Sequence, residues 1–282
     1  LSTMVLVGTA DGTLVALGID EGDVVWQRRI AEGTESDVLA AVPSGDGGVV
    51  LSLLIENPDR SQPGRIAALL ALDADGRRRW QATLPGAATQ LQRLPDGGFA
   101  ALSFEGHGET VLSGDEASRV TRLSATGERL WQRSVSLGPW LEQGRVDAMA
   151  ATADGGLVLA GSNGSRISLV RLAPDGALAA ATDLDMPTGL ADAGWFTDER
   201  IRQAPDGGLV LAMTENGLVA GIDRAGQGFP LGQNNVLVLK VDAALQPRWS
   251  HVYGARFHEG VRDLAVRADG VIVVAGFSDS LG

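Results

Sequence analysis

One turn sequence recurs along the chain and constrains the fold more than any other feature. It is an Asp-Gly pair set between apolar runs. Copies lie at Ala41-Val-Pro-Ser-Gly-Asp46-Gly47-Gly48-Val, Leu91-Gln-Arg-Leu-Pro-Asp96-Gly97-Gly98-Phe, Ala151-Thr-Ala-Asp154-Gly155-Gly156-Leu, Gln203-Ala-Pro-Asp206-Gly207-Gly208-Leu and Val266-Arg-Ala-Asp269-Gly270-Val. The Asp positions are 50, 58, 52 and 63 residues apart. Each copy predicts a β-hairpin, because glycine supplies the positive φ of a tight turn and the flanking Val, Leu, Ile and Ala suit a buried strand.

A second hairpin motif alternates with the first. It runs from Leu14 to Gly22 and on to Trp26, from Ala68 to Gly76 and Trp80, from Val120 to Gly127 and Trp131, and from Val238 to Leu245 and Trp249. A fifth copy, Leu169-Val-Arg-Leu-Ala-Pro-Asp-Gly176, has Ala180 in the Trp slot. A large ring at one repeat position predicts packing between neighbouring repeats. Naming the four strands A, B, C and D in chain order, the two hairpins make a four-stranded unit of roughly 50 residues, the period of a propeller blade. The sequence therefore predicts an all-β fold, a β-propeller of repeating four-stranded antiparallel blades, five or six in number.

The whole chain, residues 1–282, reads as a single propeller domain. Its blade units fall at approximately 1–30 (partial), 37–85, 88–137, 146–186, 197–254 and 261–282 (partial). The chain starts at Leu1, not Met, in what reads as the middle of a unit, so a longer parent chain is expected. No run of 18 apolar residues occurs, so no membrane span is expected. Net charge is −12 without a compensating basic cluster beyond Arg77, Arg78 and Arg79, which argues against nucleic acid as a partner. Zero Cys excludes disulfides, thiolate catalysis and Cys-ligated metals, and leaves the redox compartment open.

The segment Val5-Leu-Val-Gly-Thr-Ala-Asp-Gly-Thr-Leu-Val-Ala-Leu through Trp26-Gln27 resembles the repeat of pyrroloquinoline-quinone-type propellers. The later units, with Asp-Gly-Gly-Leu-Val-Leu-Ala-Gly, Leu-Val-Arg-Leu and Trp249-Ser-His-Val-Tyr-Gly, resemble bacterial secreted β-propeller-repeat proteins. The resemblance implies an exported protein, extracellular or periplasmic, and often one domain of a larger surface protein. Quinone dehydrogenases of that superfamily have more blades, a calcium ion held by acidic and amide side chains, and frequently a vicinal disulfide. With fewer blades and no Cys, this chain is expected to hold neither cofactor nor metal.

Loop lengths divide the two ends of the blades. The A–B and C–D turns are uniformly short. The B–C connections at 56–64, 105–117 and 215–234 and the D–A connections at 31–37, 136–145, 186–199 and 254–260 are long and varied. Long connections on a rigid scaffold are where binding residues concentrate. The candidate binding face on these loops comprises His107, Trp140, Trp195, Phe196, Arg224, Phe229, Arg256, Phe257 and His258. Loop aromatics beside Arg and carboxylates suit recognition of a protein or a carbohydrate. The other reading of Trp140, Trp195 and Phe196 is that they fold back as plugs over the blades.

No catalytic constellation stands out. His251 alternates along a D strand as a structural residue would, and Asp73-Ala-Asp75-Gly76 and Asp183-Leu-Asp185 lack the spacing of a calcium loop. No nucleophile elbow, P-loop or dinucleotide fingerprint is present. A paired-carboxylate glycosidase would draw on Asp115, Glu116, Asp198, Glu199 and Glu259, which are otherwise expected to be solvated surface groups. The expected function is thus a non-enzymatic binding or scaffold module presenting its loop-rich face to a protein or carbohydrate, or to other domains of the same parent chain. The alternatives are a polysaccharide hydrolase or lyase, a degenerate quinoprotein, and an assembly module of a larger surface complex.

Overall fold

The computed structural model describes residues 4–8, 13–18, 20–30, 36–57, 64–104, 118–135, 146–162, 166–185, 195–216, 220–222, 228–230, 234–254 and 258–279. Among them there is no helix, and so none long and apolar enough to cross a membrane. The chain divides into two compact units, Leu1–Val135 and Ser136–Gly282.

The first unit holds three antiparallel sheets. A three-stranded sheet is built from β1 (Met4–Gly8), β2 (Thr13–Gly18) and β3 (Val24–Arg29). Two four-stranded meanders follow: β4 (Ser36–Pro43), β5 (Val49–Glu56), β6 (Arg65–Leu72) and β7 (Arg78–Leu84), then β8 (Ala88–Arg93), β9 (Phe99–Phe104), β10 (Ser118–Leu123) and β11 (Arg129–Val135). In the second unit β12 (Ala148–Ala151), β13 (Leu157–Ser162), β14 (Arg166–Leu172) and β15 (Leu178–Asp185) form one sheet. The next sheet has the order β16 (Trp195–Gln203), β17 (Leu209–Asn216), β20 (Asn234–Val241), β21 (Pro247–Tyr253), with a small hairpin of β18 (Ala220–Ile222) and β19 (Gly228–Pro230) inserted between its second and third strands. A final pair is β22 (Glu259–Val266) and β23 (Ile272–Ser278). Four sheets have the complete four-strand meander that the repeats predict.

The apolar runs of the central strands in the complete sheets follow from burial on both faces. In β5, Val49, Leu51 and Leu53 pack with Leu14, Ala16 and Trp26 of the preceding sheet. The intervening Val50 packs with Leu91, Phe99 and Leu123 of the following one. In the second unit Leu209, Leu211 and Met213 of β17 join Val158, Ala160, Ile167 and Leu169 in one core. Val210 and Ala212 face Val261 and Leu264 in another. One strand thus serves two cores, with successive side chains on opposite sides.

The recurrent tryptophans tie neighbouring sheets together. Trp26 Nε1 donates to the carbonyl of Ala74 at 2.8 Å, and Trp80 Nε1 donates to that of Ala125 at 3.1 Å, each in the C–D turn of the next sheet. The rings lie on the turn glycines: a Cβ added at Gly76 would stand 2.7 Å from the Trp26 ring, and one at Gly127 would stand 2.5 Å from that of Trp80. Gly76 has φ 75°, so its freedom from Cβ serves both the turn and the ring.

In the second unit this interlock is exchanged for another. Ala180 occupies the Trp slot, opposite Arg171 as Trp80 is opposite Ala71. Arg171 Nη1 donates to the carbonyl of Ala243, the counterpart of Ala74 and Ala125, at 3.2 Å. The turn residue at the glycine position is Leu245, 2% exposed within the core and left-handed at φ 63°. That backbone costs a non-glycine residue roughly 1–2 kcal/mol, which burial of the leucine offsets by about 1.5–3 kcal/mol. We predict coupling across this interface. Ala180→Trp alone should destabilise by about 1–3 kcal/mol through overpacking, and Leu245→Gly alone by about 2–3 kcal/mol through lost packing. The double variant should cost at least about 1 kcal/mol less than the sum. Urea unfolding of the four proteins checks this, and strict additivity would refute the exchange.

Candidate functional site

At the short-turn end every described carboxylate of the Asp-Gly-Gly type is already engaged. Asp96, Asp154 and Asp206 each accept the N–H of the glycine two residues on, at 3.0, 3.2 and 3.0 Å. Each is also held by a cation from the C strand of its own sheet: Arg122 at 2.5 Å, Arg171 at 2.7 Å and Lys240 at 2.7 Å. In the first complete sheet the C-strand position is Ala71, and Arg79 from β7 clasps Asp46 instead. The hydrogen bond from Thr152 holds the Asp154 carboxyl below the ordinary carboxylate range, and that from Lys240 does so for Asp206. For Asp46 the Ser44 hydroxyl is the largest cause, followed by Arg79. Charges locked in this way fasten the turn and leave little for a ligand.

The long-loop end differs, and the second unit shows it best. β16 begins at Trp195, so Trp195 and Phe196 stand on a strand, opposite Asn216 and Glu215, where the sequence placed a connection through residue 199. A register shift between Thr197 and Arg200 hides the strand, because a bulge breaks the alternation that marks one. Inside that bulge Glu199 is buried, its Oε1 accepting the Ser162 hydroxyl at 2.6 Å. Glu259, at the start of β22, is also buried and accepts the Ser278 hydroxyl at 3.1 Å. Both were expected as solvated groups. Hydroxyl donors from adjacent strand ends make their burial tolerable.

Between them lies a pair that sequence reading missed. Glu215 is 0% exposed and accepts Asn235 Nδ2–H at 2.9 Å, while its Oε1 has no partner. Asn235 faces Glu215 across the β17–β20 ladder. Its amide packs where Gly254 leaves room, since a Cβ there would fall 1.9 Å from Asn235 Oδ1. Burial pushes the Glu215 carboxyl above the ordinary range, and the Asn235 hydrogen bond opposes this. The available signal was the polar Thr214-Glu215-Asn216 ending an apolar strand and Asn234-Asn235 opening its partner. His258 is bridged through its backbone to Asn234 and keeps a buried, unpartnered Nδ1. Of the candidate face, Phe229 lies in β19 opposite Gly221. His107, Trp140, Arg224, Arg256 and Phe257 lie outside the described residues.

A family model described as outer membrane protein assembly factor BamB matches residues 10–240. The chain belongs to that family. A comparison with curated proteins finds no match. Among solved structures, the chain is similar to the quinohemoprotein alcohol dehydrogenase of Comamonas testosteroni, at 15% identity and a TM-score of 0.56, covering 96% of this chain and 55% of that one. It is similar to the C-terminal WD40 domain of Sif2, at 13% identity and a TM-score of 0.54, covering 99% and 64%. It is also similar to a europium-containing methanol dehydrogenase, at 13% identity and a TM-score of 0.53, covering 99% and 72%. The chain spans a little over half the length of the first of these. Such likeness shows the fold, and with the four-stranded sheets it establishes a β-propeller of about five blades, which the family match makes quinoprotein-like.

Among the described residues no three of His, Cys, Asp and Glu are grouped as metal ligands, and Glu215 is hydrogen-bonded to Asn235 inside a strand ladder. The pair nevertheless has a measurable consequence. A carboxyl raised in the folded state adds stability below the ordinary carboxylate pKa, and loses it as pH climbs through the raised one. Glu215→Gln should therefore melt higher than the parent at neutral pH. The advantage should vanish below about pH 4, where the unfolded carboxyl is itself protonated. Thermal melts across that range check the sign, and a variant less stable at neutral pH would contradict it.

Proposed function

We propose that this propeller is a non-catalytic docking module that works outside the cytoplasm and holds a protein partner against the loop-rich ends of its blades. The observation that carries the reading is the family match over residues 10–240, to a model whose description is that of a factor in outer membrane protein assembly. A partner engaged in such assembly is the class this implies. The contact residues of the proposal are the loop-end set His107, Trp140, Trp195, Phe196, Arg224, Phe229, Arg256, Phe257 and His258.

The physical case rests on the contrast between the two blade ends. The short turns are hydrogen-bonded and clasped by Arg or Lys, so they serve the scaffold. The connections that vary in length leave the opposite strand ends, where rigid sheets hold them and less ordering entropy opposes association. Aromatic rings supply contact area there, and a net charge of −12 favours a basic partner surface.

Photo-crosslinking in cells tests this. A benzoylphenylalanine placed at Trp140, Trp195 or Phe229 should give protein adducts, and one at the exposed strand positions Val25 or Leu178 should not. Replacing Trp140, Phe229 and His258 together by Ala should weaken binding of the crosslinked partner at least tenfold, about 1.4 kcal/mol or more. Adducts equal at the strand positions, or adducts only to glycans, would overturn the reading.

A further inference from the structure

Arg77-Arg78-Arg79 is the longest basic run of the chain, and the repeats do not call for it. The residues in the same places are Glu128-Arg129-Leu130 in the next sheet, and Ala177-Leu178-Ala179 and Gln246-Pro247-Arg248 in the second unit. The tryptophan interlock uses only the carbonyl of Ala74 and the bare Cα of Gly76. The sheets therefore assemble without three arginines at this turn.

Two of the three are neutralised locally. Arg77 pairs with Asp75 at 2.7 Å, and Arg79 clasps Asp46. Arg78 is exposed and meets no carboxylate or other acceptor among the described residues. It lies opposite Leu72, which packs with Leu14 and Trp26, so its side chain leaves β7 on the side of the β1–β3 sheet. From that sheet the exposed Arg28 reaches the same turn, donating to the carbonyl of Asp75 at 3.3 Å and to that of Gln27 at 3.0 Å. Both acceptors are neutral backbone groups, so this guanidinium also lacks a carboxylate. Asp73, the remaining acid of the turn, accepts the N–H groups of Asp75 and Arg77 at 2.9 and 2.8 Å, and so faces the backbone. The arrangement is not repeated within either unit. One sheet later Ala82 and Arg129 hold the places of Arg28 and Arg78, and in the second unit Thr182 and Pro247 hold them.

We infer that Arg28 and Arg78 form a docking point for an acidic segment of a partner polypeptide, with one carboxylate side chain on each guanidinium. Each arginine offers a planar fork of donors that matches a carboxylate. The surrounding charge decides the shape of the ligand. The chain carries −12, and Asp20, Glu21 and Asp23 of the β2–β3 turn are exposed at the same end of the strands. A flat anionic lipid surface would meet those carboxylates along with the arginines. A narrow extended segment meets the arginines alone, and screening over about 8 Å at physiological salt weakens what the other charges contribute. The site lies at the short-turn end and is independent of the loop-end reading. Val25 alternates to the side of β3 away from Trp26 and Arg28.

The probe is a fluorescein-labelled hexaglutamate peptide, titrated into the full chain and followed by fluorescence anisotropy. Binding should saturate and should weaken with added salt. Arg28→Gln with Arg78→Gln should weaken it by about tenfold or more. Both side chains are exposed, so the fold is not at stake. Arg129→Gln with Arg133→Gln removes the same charge from the equivalent places of β11 and should leave the affinity unchanged. Arg28→Lys with Arg78→Lys keeps the charge and should still lose severalfold, because the fork is gone. No saturable binding, equal weakening by the β11 pair, or full affinity in the lysine variant would each overturn the proposal. So would phosphatidylglycerol vesicles that bind the parent and not the glutamine variant, the mark of a membrane surface at this corner.

Discussion

The architecture depends on a ring lying where a side chain is missing. Trp26 and Trp80 reach across to the next sheet, bond a turn carbonyl and cover a glycine that has no room for a Cβ. Dispersion over the ring face, one satisfied indole N–H and a left-handed turn come together in a single contact. Strand pairing within a sheet is local and specifies nothing about the neighbouring sheet. The tryptophan supplies that link, which is why it recurs at one register position beside a ladder irregularity. The Ala180–Leu245 exchange shows how far the contact can change, since bulk lost on one side is regained on the other and Arg171 takes over the carbonyl.

Within each unit, central strands such as β5, β9 and β17 are buried on both sides, and the clasped charges gather at the strand ends. At one end the Asp-Gly-Gly turns are fastened by Arg122, Arg171 and Lys240. Arg171 serves twice, clasping Asp154 within its own sheet and the Ala243 carbonyl in the next. The other end carries the long connections and is left to vary. A binding function proposed there leaves the clasped turns and the tryptophan interlocks untouched.

Much of this was legible in the amino-acid sequence, because turn chemistry and two-sided burial both leave local signatures. The Asp46, Asp96, Asp154 and Asp206 turns and the tryptophan register could be read directly. The Arg and Lys clasps could not, because the partners are 17 to 34 residues apart and nothing in a Leu-Val-Arg-Leu run says that its arginine faces an aspartate two strands earlier. The start of β16 was hidden by its bulge. Glu199 and Glu259 were read as solvated because carboxylates usually are, and their burial depends on Ser162 and Ser278, hydroxyls 37 and 19 residues away. The Glu215–Asn235 pair needed the β17–β20 register before it could be seen. Five of the nine candidate loop residues lie outside the described residues, so the site is legible as a location more than as a constellation.

The carboxyls of the clasped turns and the buried carboxyl of Glu215 are shifted in opposite directions. At the turns, carboxylates are held low by donors and cations, so protonation works against the fold. At the loop end Glu215 is held high by desolvation, so ionisation works against it. A scaffold built for stability alone would place an apolar residue there, as the rest of β17 does from Leu209 to Met213. The retained carboxyl, one oxygen bonded to Asn235 and the other without a partner, lies at the edge from which the variable connections depart. Its cost to the fold falls where the long connections arise, and away from the clasped turns that fasten each sheet.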